Sequence, residues 1–111
     1  MEISTSQFKR CDLVKVTGRI DSFTAPTLAE TFNTIQESGQ YKIVFDMSGV
    51  EYVSSSGLRV MINTQKACKR YNRGELVLAG VPERVKSSLE LAGFVPLFTI
   101  FDDATTAVGN F

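Results

Sequence analysis

The run Lys42-Ile43-Val44-Phe45-Asp46 has no polar residue between its charged ends. A strand with one wet face alternates apolar and polar side chains. A run without alternation is covered on both faces, the condition of a central strand in a parallel sheet layered by helices. The residues after it narrow the choice. Residues 47–53 read as a short loop, and Ser54-Ser55-Ser56-Gly57 then sets three hydroxyls and a glycine before a helical pattern. The first turn of a helix leaves backbone N–H groups unpaired and carries partial positive charge. Such a place suits an anion, including a phosphate esterified to one of those serines.

Elsewhere strand and helix patterns alternate. Residues 2–8 and 13–17 read as short strands around the polar turn Lys9-Arg10-Cys11-Asp12, with Val14 and Val16 on one face. Gly18-Arg19-Ile20-Asp21-Ser22 breaks that pattern. Thr24 can cap the next helix, with Pro26 in its first turn, where a missing N–H costs little. Ala25, Leu28, Ala29, Phe32 and Ile35 define its buried face, and Gly39 is its stop. A second helix is expected over residues 58–71. Its apolar stripe is Leu58, Met61, Ile62 and Cys68, broadened by Val60, Ala67 and Tyr71; Arg59, Asn63, Lys66 and Arg70 form the polar stripe. Residues 75–79 read as a strand, 82–92 as a helix stopped by Gly93, and 97–101 as a last strand. Asp102 can cap a short closing helix.

The order ββαβαβαβα predicts an α/β fold: one domain over residues 1–111, with a mixed, mostly parallel sheet of about five strands and about four helices. The loops at Asp21 and Ser54 both follow strands, so they can share the carboxyl end of the sheet, where ligand sites of such folds lie.

Composition removes whole classes of function. Twelve basic and twelve acidic residues cancel, which argues against nucleic acid or an acidic membrane as general partners. No apolar run approaches the roughly 18 residues of a membrane span, and the start Met1-Glu2-Ile3-Ser4-Thr5 lacks the basic and apolar segments of a secretory signal. A cytoplasmic location is the expectation. Cys11 and Cys68 are far apart and have no histidine to complete a metal site, so both read as reduced packing residues. The absence of histidine removes Ser-His-Asp and Cys-His catalysis together. No catalytic residue, cofactor or metal is expected.

Three segments carry a family resemblance. Gly18-Arg19-Ile20-Asp21 is like a glycine-x-apolar-aspartate segment before a first helix; Asp46-Met47-Ser48-Gly49-Val50 is like an Asp-Leu-Ser after a central strand; Ser55-Ser56-Gly57-Leu58 is like an Asp-Ser-(Ser/Thr)-Gly-Leu phosphorylation motif. In this order and spacing, over essentially its full length, the chain resembles the STAS domain, and within it the stand-alone bacterial anti-sigma factor antagonists. The resemblance implies a partner switch. The bare protein binds an anti-sigma factor, commonly one with a serine kinase fold. Phosphorylation by that kinase ends the interaction, and a metal-dependent serine phosphatase restores it. The family's phosphoacceptor corresponds to Ser55, and Ser56 to the Ser/Thr after it. One position departs from the pattern: the usual aspartate before the acceptor is Ser54 here. That removes a negative charge and leaves the acceptor open among Ser54, Ser55 and Ser56.

From the residues alone, these serines equally suit a turn or a helix cap. The expected partner surface comprises Asp21, Ser22 and Thr24, then Ser54, Ser56 and Gly57, then Arg59 and Asn63 at the start of helix two. Arg59 is placed in that helix's first turn, where a cation opposes the helix dipole. Asp46 reads as a strand-end acid pairing with loop N–H groups. Residues 52–74 hold five bases and no acid, a local basic face on a neutral chain. The rival function is a constitutive STAS scaffold or subunit, in a stress-sensing or transporter-associated assembly, without a phosphorylation cycle. An enzyme or nucleotide-binding module lacks the histidine and the phosphate-binding glycine loop such chemistry would use.

Overall fold

The computed structural model describes residues 1–111. Five strands form one sheet in the spatial order of the chain: β1 (Glu2–Gln7), β2 (Asp12–Ile20), β3 (Lys42–Val53), β4 (Glu75–Ala79) and β5 (Ile100–Phe101). β1 runs antiparallel to β2, and every other neighbouring pair is parallel. The helices are α1 (Ala25–Glu37), α2 (Ser55–Lys69), α3 (Glu83–Leu91) and α4 (Ala104–Gly109), so the order is ββαβαβαβα as the sequence predicts.

Because the strands step across the sheet in one direction, each right-handed crossover lands its helix on the same face. α1, α2 and α3 therefore share one core. Val14, Val16 and Ile20 from β2 and Ile43, Phe45 and Met47 from β3 meet Leu28 and Phe32 of α1, Leu58 and Met61 of α2, and Val85 and Leu89 of α3. Phe32 and Phe45 pack edge to face at 5.3 Å, an arrangement that adds to area burial for aromatic pairs. The other face carries a smaller cluster, in which Cys11, Val44, Val77 and Ala79 lie under Ala107 of α4. Cys11 and Cys68 are both buried free thiols.

Several boundaries differ from the sequence reading. Gly18-Arg19-Ile20 does not break β2 but continues it, with Gly18 at φ +104. The expected loop at 47–53 is strand: β3 runs on to Val53, paired with β2. Helix two starts at Ser55 rather than Leu58, which puts Arg59 in its second turn. Tyr71 lies beyond that helix, 84% exposed, and is not part of the apolar stripe. The last strand shortens to Ile100–Phe101 behind a 3-10 turn, and Asp103, not Asp102, caps α4 by accepting from the Thr106 N–H at 2.7 Å. Asp46 sits within β3, not at its end, and its carboxylate accepts from the Ser48 N–H at 3.0 Å.

Candidate functional site

The two longest strands end together. Ile20 and Val53 are register partners, and the Ser54 N–H donates to the Ile20 carbonyl at 2.8 Å as the last rung of the pair. The chain leaves that rung in two directions, from Ile20 into the loop before α1 and from Val53 into α2. The Asp21 loop and the serine cluster are thereby side by side at the carboxyl end of the sheet.

The loop is tied to itself. Asp21 Oδ1 accepts from the N–H groups of Phe23 and Thr24 at 3.0 and 3.1 Å and lies 3.2 Å from the Thr24 hydroxyl, whose oxygen accepts from the Asp21 N–H at 2.8 Å. This reciprocal pair replaces the expected cap: Thr24 stands at the N-terminus of α1, but its side chain bonds Asp21 rather than the helix. The Thr24 N–H above all, then the Phe23 N–H, the Thr24 hydroxyl and the charge of Arg19, hold the Asp21 carboxyl below the usual aspartate range. The same tie leaves Ser22 exposed and raises Phe23 to 90% exposure.

The serines divide their duties. Ser54 is the N-cap of α2, its extended backbone (φ −79, ψ 172) letting Oγ accept from the Gly57 N–H at 3.2 Å. That is work an aspartate does equally well at a helix start, so the departure from the family motif keeps the cap and drops the charge. Ser55 is the first residue of the helix and is exposed; Ser56 is half-buried. Gly57 is buried, and a Cβ there would stand 2.6 Å from Ile20 Cγ2, so the missing side chain lets the helix approach the rung closely. It shapes the surface without presenting a group to it. Residues four apart stack along one helix face, so Ser55, Arg59 and Asn63 form an exposed stripe that runs on towards Lys66 and Arg70.

Two neighbours were not singled out from the sequence. Phe23 carried a signal, an aromatic inside the polar Asp21-Ser22-Phe23-Thr24 turn that completes no apolar stripe. Tyr52 is the register partner of Arg19, whose guanidinium lies 4.5 Å from its ring centroid. That pair became visible only once β2 and β3 proved longer than their patterns. No group of three or more metal-ligating side chains gathers here or elsewhere, and no helix is long and apolar enough to cross a membrane.

Comparison with known proteins places this arrangement. The sequence model of the STAS domain matches residues 2–107. The anti-sigma-B factor antagonist of Staphylococcus aureus (strain NCTC 8325 / PS 47) is 30% identical over 100 residues, covering 90% of this chain and 92% of that protein. A crystal structure from Thermotoga maritima superposes with a TM-score of 0.89 at 20% identity, over 97% of this chain and 92% of the other. The Bacillus cell fate determinant SpoIIAA in its phosphorylated form superposes at 0.77 and 11% identity, over 98% of each chain, and its unphosphorylated form also gives 0.77. The chain belongs to the STAS domain family and, within it, to the family of the anti-sigma factor antagonists.

Proposed function

We propose that this chain is a regulatory binding protein of the cytoplasm, not an enzyme, whose bare form binds an anti-sigma factor with serine kinase activity. Phosphorylation of Ser55 by that kinase releases the partner, and a metal-dependent serine phosphatase resets the cycle. The observation that carries the reading is the placement of Ser55: exposed at the first position of a 15-residue helix, with the capping duty discharged by Ser54. A hydroxyl there is open to a kinase, and its modification costs the helix no cap.

A phosphate adds about −1.5 to −2 charge, which the helix N-terminus accommodates. Arg59, one turn along the same stripe, suits it as a counter-charge. The fold therefore tolerates the mark, in keeping with SpoIIAA, whose two forms match this backbone equally well. A partner packed over the serines must instead desolvate the phosphate or leave. If that costs about 3–4 kcal/mol, affinity falls by roughly two to three orders of magnitude.

The test is phosphopeptide mapping of the protein from its native cells, on the tryptic fragment 43–59, which holds Ser48, Tyr52 and all three clustered serines. Phosphate on Ser55, with loss of a kinase-type partner in the modified form, is the expected result. Phosphate on Ser54 or Ser56 would reassign the acceptor. A fragment bare in every growth condition would replace the switch by the constitutive scaffold, the reading that the uncharged Ser54 favours.

A further inference from the structure

Resting on that partner-binding reading, we infer that Phe23 is the apolar anchor of the interface, seated in a socket on the partner whose rim is acidic. A scattered exposed apolar residue needs no explanation, but Phe23 differs in three respects. It is 90% exposed, so nearly the whole ring is available for burial. It is held in place: its own N–H and that of Thr24 are both fixed on Asp21 Oδ1, so little backbone freedom is lost on docking. And the loop springs from Ile20, the residue whose carbonyl receives the Ser54 N–H, so the ring and the serines stand at one end of the sheet. Rigid, projecting aromatics of this kind dominate binding energy at protein interfaces.

The rim follows from charge. Arg19 and Arg59 are exposed at this end of the sheet, while the one carboxylate of the loop, Asp21, is turned onto the loop's own N–H groups. Two acids lie nearby on the strands: Glu51 on β3, which lines a hollow with Pro82, Glu83 and Arg84, and exposed Glu2 on β1, opposite Thr17. On the α2 side, where residues 52–74 carry five bases and no acid, the surface beside Phe23 is positive, which selects carboxylates on that side of the partner's socket. The same rim explains release: a phosphate on Ser55 would face like charge.

The experiment adds purified bare protein, at limiting concentration, to an extract of the native cells with ATP, and follows the initial rate of phosphate incorporation into fragment 43–59. Position 23 lies outside that fragment, so every variant yields the same peptide. Phe23→Ala should slow incorporation about 30-fold or more, and Phe23→Leu should restore most of it. Phe23→Lys should exceed Phe23→Asp, since the rim is acidic. Thermal midpoints of all four should stay close to that of the unsubstituted chain, because the ring supports nothing in the fold. An unchanged rate for Phe23→Ala overturns the anchor, and Asp faster than Lys overturns the rim. If the unsubstituted chain itself takes no phosphate anywhere on fragment 43–59, the switch reading fails, and this inference falls with it.

Discussion

A methyl group at position 57 would stand 2.6 Å from Ile20 Cγ2 and 2.9 Å from Val53 Cγ1, closer than side chains approach. Two effects compete in Gly57→Ala. Alanine gains about 1 kcal/mol of helix propensity over glycine, whereas overpacking a tight contact costs about 1–3 kcal/mol. Sterics should win: the variant should unfold at lower urea, with amide shifts at Ile20 and Val53 as the first turn of α2 is pushed outward. A variant as stable as the parent would mean the contact relaxes freely. Asp21 makes a second prediction, in pH. Its folded carboxyl titrates below the ordinary value, so its contribution is present above about pH 4 and is lost as pH falls through the lower folded value. Asp21→Asn should therefore show a shallower loss of stability below pH 4 than the parent, read from urea midpoints at pH 3, 5 and 7. Parallel profiles would remove the loop's tie from the account.

Among the elements, β3 is where the sequence was hardest to read. Its inward residues are Ile43, Phe45 and Met47, then Val50 and Val53. The first three keep the period of two that marks a strand; the last two recur every third residue. Register shifts against β2 between Lys15 and Thr17 and between Gly18 and Arg19 account for this, since each gives β3 an extra residue that re-phases its side chains. A bulge leaves no mark in the residue pattern, so the upper half of β3 carries the signature of a loop. The helix stripes of α1 were legible because nothing interrupts their period, and Ser54, Ser55, Ser56 and Gly57 because their residue types report a helix start. Phe23 and Tyr52 depend on what neither neighbour in sequence reveals. The cap gives the prediction for this scale. Ser54→Ala should cost about 1 kcal/mol of stability, and Ser54→Asp should cost nothing. Chemical denaturation decides it, and an Ala variant equal to the parent would show that the Ser54–Gly57 bond contributes nothing net.

Taken as a whole, the molecule is lopsided. Three helices cover one face of the sheet, and α4, of six residues, holds the smaller cluster on the other. Short helices open locally more readily than the elements they cover. Both thiols are pushed above their ordinary range, chiefly by burial, and are thus protonated and inert while covered. Thiol labelling should accordingly occur in two phases, Cys11 by the local opening of α4 and Cys68 only with global unfolding; one common rate would mean that both faces open together. The serine end lies apart from that weaker layer. It is wedged by Gly57 into the rung that closes β2 and β3, the two longest strands. On the reading proposed above, a mark written there would change what the surface repels and leave the backbone where it was. Such a device would have no relaxation time of its own. Its delay, threshold and memory would belong to the enzymes that write and erase the mark, and a cell could retune the circuit by changing their amounts without altering this protein.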